Sequence, residues 1–370
     1  MKIFLPFIIL IVAVNCKENT NPILNSHLIQ ILENGLSHGI GESVLDSPLL
    51  KDSVNASILI ASRKGTTFKK LYSQFANLSD FQNRINLLQK ADLLTGNPDH
   101  LNTSFPILIN DDSKQYFKRI RQSVDNIYPV LRPILSKVLD KIKRKDWQKW
   151  SYHTIWSLIF DSQFIWYEMV ERNLVPSLTP PIAWVIYPQA IYKTGTNYYP
   201  DTELKDFWVV VSWSPNGSNT LGVLGGNWEI LYNCALDQSS SLSNQNIEFL
   251  IQSGLLNDKH EVTFPVIFPE DEIYQDLKNT ANIYLDLLVE DIPINDFNQI
   301  IGRDKKFSFA VVYHDICWET MKRLVEDGSI EQPLCLTAEM SNKTKDYTGA
   351  CSIIGVYQPF VNQIINALEK

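Results

Sequence analysis

Ile85-Asn86-Leu87-Leu88-Gln89-Lys90-Ala91-Asp92-Leu93-Leu94 and Ile247-Glu248-Phe249-Leu250-Ile251-Gln252-Ser253-Gly254-Leu255-Leu256 place their apolar residues alike, 162 positions apart. Ile85, Leu88 and Leu93 recur at helical spacing, so each copy is expected to be a helix that stops at its Leu-Leu pair. The likeness continues downstream. Thr103-Ser104-Phe105-Pro106-Ile107-Leu108 parallels Val262-Thr263-Phe264-Pro265-Val266-Ile267 at an offset of 159. Further on, Met169-Val170-Glu171-Arg172-Asn173-Leu174-Val175 parallels Leu324-Val325-Glu326-Asp327-Gly328-Ser329-Ile330 at 155, and a proline follows each within three residues. Segments repeating at nearly one offset signal duplication of a whole structural unit. A chain of 370 residues has room for two such units. They are expected at 27–190 and 191–370, behind a leader at 1–16 and a polar tether at 17–26.

Each unit reads as α+β. Ser57-Ile58-Leu59-Ile60-Ala61 and Phe68-Lys69-Lys70-Leu71-Tyr72 offer two short helices before the Ile85 helix, with a polar break at Asn77-Leu78-Ser79-Asp80. The two isoleucines make the first the more strand-prone. Three short helices leading into a β-hairpin resemble a winged helix-turn-helix module. Similar patterning recurs at 153–175 with 182–187, at 246–267, and at 309–330 with 334–337. The resemblance implies an internally duplicated body of winged-helix-like modules. Pro106 and Pro265 mark strand ends or edges, because proline cannot donate to a ladder. Helical stretches are expected from Asp111 to about Leu139 and from Glu270 to about Leu288.

A winged helix commonly places its third helix in the major groove of DNA. Here that helix offers Arg84 and Lys90 against Asp92, and the second copy has no Lys or Arg from Asn246 to Leu256. With a net charge of −8, the chain is not expected to bind nucleic acid. Function must then be argued from sites on the scaffold.

The N-terminus supplies an address. Met1-Lys2 is followed by apolar residues from Ile3 to Val14, which has the layout of a secretory signal peptide and is too short to span a bilayer. Ala13-Val14-Asn15-Cys16 resembles a bacterial lipobox, which implies lipidation of Cys16 and membrane attachment at the cell envelope. Secretion without lipid is the alternative, since Asn15 stands where that pattern prefers Gly, Ala or Ser.

Several side-chain groups are candidates for binding or chemistry. From Lys114 to Lys149 there are eleven basic and three acidic residues, among them Lys141, Lys143, Arg144 and Lys145. Such a stretch is either a solvated helix face or a surface for an acidic partner or anionic lipid. Eight of nine tryptophans lie between Trp147 and Trp228. Trp156, Trp166 and Trp184 sit in apolar runs and read as core. Trp208, Trp213 and Trp228 are the candidates for an exposed platform that stacks on a glycan. His314 precedes Cys317 by one helical turn, which permits a thiol nucleophile or a pair of metal ligands, or simply a buried helix. Gly217, Gly222, Gly225 and Gly226 precede no Gly-Lys-Ser/Thr and do not form a phosphate loop. Cys335 and Cys351 flank a polar connection and are the expected disulfide, requiring Cα atoms within about 7 Å. Five Asn-X-Ser/Thr triplets carry no weight in a chain so rich in these residues. No cofactor or metal is implied. The reading is an envelope-anchored lipoprotein acting as a non-enzymatic protein-binding or assembly module. The alternatives are glycan or cell-wall binding through Trp and Tyr, and a thiol or metal hydrolase at His314 and Cys317.

Overall fold

The computed structural model describes residues 36–40, 47–176, 182–186, 195–200, 207–213, 228–235, 244–252, 255–333 and 350–357. Cys16, the four glycines from Gly217 to Gly226, and Cys335 lie outside them. In chain order the elements are β1 (Leu36–Ile40), α1 (Ser53–Ser62), α2 (Phe68–Gln74), α3 (Phe81–Lys90), β2 (Leu94–Asn97), β3 (His100–Thr103) and β4 (Ile107–Leu108). Next come α4 (Asp111–Arg144), α5 (Ser151–Ile155), a π-helical turn (Trp156–Phe160), α6 (Gln163–Glu171), β5 (Ile182–Ile186), β6 (Gly195–Pro200) and β7 (Phe207–Trp213). The remainder is α7 (Trp228–Ala235), α8 (Asn244–Gln252), β8 (Val266–Ile267), α9 (Glu272–Asp291), α10 (Ile294–Ile301), α11 (Lys305–Glu326) and β9 (Ala350–Tyr357). The protein is a mixed α+β chain in which helices predominate.

Local chemistry sets the first elements. Asp52 caps α1 by accepting from the Val54 and Asn55 amides at 2.9 Å, and Thr67 caps α2 through the Lys70 amide at 3.1 Å. That cap, with Ile58 and Leu59 fully buried, outweighs the strand preference of the isoleucines. Between the two helices Thr66 exchanges backbone hydrogen bonds with Leu101 of β3, at 2.9 and 2.7 Å. The β2–β3 hairpin turns at Gly96, whose φ is +102° and where a Cβ would meet the His100 carbonyl oxygen at 1.9 Å. Only glycine fits there.

The helices stop short of the expected place. α3 ends at Lys90 and α8 at Gln252, before their Leu-Leu pairs. Asp92, in the left-handed region at φ 53°, turns the first chain out of the helix, so Leu94 opens β2. All four leucines are nevertheless buried, as are Phe105 and Phe264. The backbone around them makes the same bonds in both places. The Leu93 amide donates to the Leu88 carbonyl and the Leu255 amide to that of Leu250, each at 2.9 Å. Ser104 and Thr263 then donate to the Leu93 and Leu255 carbonyls at 3.1 and 3.0 Å.

The later pair agrees as well. α6 and α11 end in the same double turn: Leu174 donates to Met169, and Ser329 to Leu324, at 2.9 Å each. Asn173 and Gly328 take positive φ there, 58° and 73°. This is the Schellman closure, which satisfies carbonyls left open at a helix end. Met169, Val175, Leu324 and Ile330 are all buried.

The strands also pair alike. β1 is antiparallel and β4 parallel to a central β5; β7 is antiparallel and β8 parallel to a central β9, with β6 added outside β7. Ile186 of β5 stands between Leu36 and Leu108, as Val356 of β9 stands between Trp208 and Ile267. Thus Ile182–Ile186, within the stretch expected as a local wing, supplies β5, the centre of a sheet built from strands distant in sequence. Leu334 to Thr337, the other expected wing, lies outside the described residues.

The compact units are not the two halves. One contains 1–113 and 180–190; the other contains 114–179 and 191–370. In the first, Leu59, Leu71, Phe81, Ile85, Leu88, Leu94, Leu101 and Phe105 share a core. In the second, Ile230, Leu231, Cys234, Ile247, Leu250, Leu255, Leu256 and Phe264 form the corresponding one.

The division at 190 is kept, but residues 114–179 leave the expected 27–190 unit because they pack with helices of the second half. Tyr116 donates to Asp315, and Tyr128 to Asp327, both at 2.5 Å and both across 199 residues. Arg323 also pairs with Asp125, and Arg132 with Asp327 at 3.0 Å. A constant separation means that α4 and α11 run side by side in the same direction. The Phe160 ring meets Tyr284 of α9 edge-on at 4.7 Å, and Arg172 reaches Asp286 at 2.5 Å.

Candidate functional site

Residues 53–103 run helix, bridging residue, helix, helix, hairpin, and the surface of α2 and α3 is the face such an arrangement presents. Its chemistry follows from spacing. Phe81, Ile85 and Leu88 turn inward, leaving Gln82, Asn83, Asn86, Leu87 and Lys90 exposed. Arg84 is held by Asp80 and Asp52 at 2.9 Å each. Its charge raises no phosphate-binding potential, because two carboxylates already neutralise it. Tyr72 on α2 is 51% exposed and Leu87 is 41% exposed, while Tyr72 stacks on Phe68 at 6.2 Å. The face is amide-rich and partly apolar, with Lys69, Lys70 and Lys90 exposed on the two helices.

His314 and Cys317 lie in the interior of α11. The Cys317 Sγ lies 3.4 Å from the Tyr284 hydroxyl and 3.5 Å from the Phe160 carbonyl oxygen, which also accepts from Tyr313. Burial pushes the Cys317 thiol well above its usual range, against the pull of the Tyr284 and Tyr313 hydroxyls. Burial likewise lowers His314 to about 4, and its ring meets Trp156 edge-on at 6.0 Å. A neutral thiol and a neutral imidazole are the opposite of an activated nucleophile pair. The π-helical turn places Asp161 beside this cluster, and burial raises its carboxyl to about 7 despite the Trp156 indole. Cys317 is expected to escape iodoacetamide at pH 8 in the folded protein and to react fully in urea. Rapid native labelling, read by peptide mass, would place the thiol in an accessible site instead.

The basic stretch is partly spent on the fold. Lys141 pairs with Glu272 at 2.6 Å and with Asp276, which removes it from the surface available to a partner. Arg119 pairs with Asp296 at 2.9 Å. Lys143, Arg144 and Lys145 remain exposed at the end of α4. Trp208 and Trp213 lie on β7, paired with Val356 and Ala350 of β9, and Trp228 opens α7. Cys351 lies on β9, and its expected partner Cys335 lies outside the described residues. Cys234 and Cys317 are free and buried.

Among the described residues, no group of three or more His, Cys, Asp and Glu could hold a metal ion. No helix among them is long and apolar enough to cross a membrane. Asn55, one of the five Asn-X-Ser/Thr triplets, is buried and hydrogen-bonded to Leu49 and Arg84 at 3.2 and 3.0 Å.

Composition singles out neither the Tyr116–Asp315 pair nor the exposed Tyr72 and Leu87. The pair needs two helices 199 residues apart, and the exposure depends on which helical face finds a neighbour. Comparison with protein-family models, with curated proteins and with solved structures finds no match.

Proposed function

We propose that the protein is an envelope lipoprotein, anchored through Cys16, whose body is two copies of a winged-helix-like unit serving as a non-enzymatic protein-binding or assembly module. The observation that carries the reading is the α2–α3 face. The helix in the position that reads DNA in a winged helix exposes Gln82, Asn83, Asn86 and Leu87 beside a single lysine, Lys90, and its arginine is paired internally. Amides with interspersed Tyr and Leu side chains suit a protein partner, and the exposed Lys69, Lys70 and Lys90 are few against the many phosphate contacts that nucleic-acid affinity draws on. The sheets β1-β5-β4 and β7-β9-β8, with their like order and strand sense, support the duplication.

Fractionation of cells producing Cys16→Ser tests the anchor. The variant should move from the membrane fraction to the soluble one, because a multiply acylated cysteine holds far more firmly than a single acyl chain. A variant that stays membrane-bound, together with no palmitate in the unaltered protein, would refute the anchor. The binding face is tested separately by a photo-crosslinking residue at Leu87. It should yield discrete protein adducts absent when the same group replaces Lys64, which lies exposed beside its partner Asp112. Equal adducts at both positions would count against the face.

A further inference from the structure

We infer that the corner from Lys143 to Trp150 is a docking surface for anionic lipid headgroups. Lys143 and Arg144 close α4, Lys145 stands in the turn after it, and Lys149 follows in the next turn; all four are exposed. Lys145 Nζ sits 4.9 Å above the Trp147 ring and Lys149 Nζ 3.9 Å above that of Trp150. Both indoles are half-buried, and Trp150 packs on the core of the second unit, which fixes the corner to rigid structure.

The helix macrodipole favours cations in the last turn of α4, but it fades within that turn. It accounts for neither Lys149 nor the two indoles. From Lys137 to Lys149 there are six cations, against the exposed Asp140 and Asp146 and the two partners of Lys141, Glu272 and Asp276, which leaves two positive charges in excess. Glu331 comes near through its amide, which donates to the Ser151 hydroxyl at 3.4 Å. A positive excess therefore remains.

The arrangement suits a lipid surface better than a fixed protein surface. Lys145 still donates its amide to the Lys141 carbonyl at 3.2 Å, so it follows Lys143 and Arg144 around the axis at about 100° per residue and the three fan over a wide arc. Mobile headgroups gather around such a fan, whereas a rigid partner must supply carboxylates along the whole arc. Cation-capped indoles belong at the headgroup level, where tryptophan is enriched.

This inference does not rest on lipidation, so its test removes the anchor. The full chain carrying Cys16→Ser is sedimented with vesicles of phosphatidylcholine, alone or with phosphatidylglycerol added. The zwitterionic vesicles register any hold by the apolar N-terminal segment. Binding should rise on the anionic vesicles and fall with added salt. Lys143→Gln with Arg144→Gln should lower the anionic partition about thirtyfold, at roughly fivefold per charge. Lys118→Gln with Arg121→Gln removes equal charge near the other end of α4, where both side chains are exposed, and should change it little. Circular dichroism of each variant shows whether the fold is kept. Equal losses from the two doubles, no preference for anionic vesicles, or binding to polyglutamate beads without binding to vesicles would each overturn the inference.

Discussion

Leu88→Ala and Leu250→Ala are each expected to destabilise the protein by about 3 kcal/mol, within the usual range of about 2–5 for a buried leucine cut to alanine. Both side chains are completely buried, and both supply the carbonyl that receives the amide of the first leucine in the following pair. They occupy separate cores, so the double variant should lose about the sum. Leu87→Ala, one residue away but exposed, should cost less than about 0.5 kcal/mol. Urea unfolding of the four variants checks this. A loss below about 1 kcal/mol at Leu88 or Leu250 would mean that the side chain does not fill a core.

Tyr116→Phe should cost about 2–3 kcal/mol, while Tyr128→Phe should cost under about 1 kcal/mol. The two hydroxyls donate to carboxylates at the same 2.5 Å, along the same pair of helices. Burial separates them. Tyr116 and Asp315 are both enclosed, so losing the donor removes a hydrogen bond from a carboxylate that water cannot readily reach. Asp327 is exposed and keeps Arg132 and Ser329 after Tyr128 is cut. Burial raises the Asp327 carboxyl, but hydrogen bonds from Ser329, Tyr128 and Arg132 outweigh it and hold the group at about 2. That contribution is therefore present above the ordinary carboxylate range and is lost only as pH falls through about 2. Equal losses from the two phenylalanine variants would contradict the burial argument.

The residues that were legible in the sequence are those whose partners are near in the chain. Ile85, Leu88 and Phe105, with Ile247, Leu250 and Phe264, were legible as core residues because helical spacing and a Phe-Pro pair occur in both segments. Helix ends were less legible, since Asp92 breaks α3 by its backbone conformation and not by its apolar pattern. The strands were least so. Ile182 to Ile186 is apolar enough for any sheet, and nothing local tells that its neighbours are Leu36 to Ile40 and Ile107 to Leu108. The same limit governs the site. Lys141 looks like its neighbours in a basic run, and only the approach of α9 makes it an internal pair. His314 and Cys317 carry the right spacing for chemistry, yet packing from Phe160 and Tyr284 sets the opposite protonation.

Amide hydrogen exchange bears most directly on the duplication. The amides of Leu93 and Leu255, and those of Leu174 and Ser329, close the same turns onto Leu88, Leu250, Met169 and Leu324. Each is expected to be protected well beyond the unstructured rate, in the manner of an amide bonded inside a packed core. If either member of a pair exchanges at the rate of an unfolded chain while its counterpart is protected, the two segments are not copies of one structural unit.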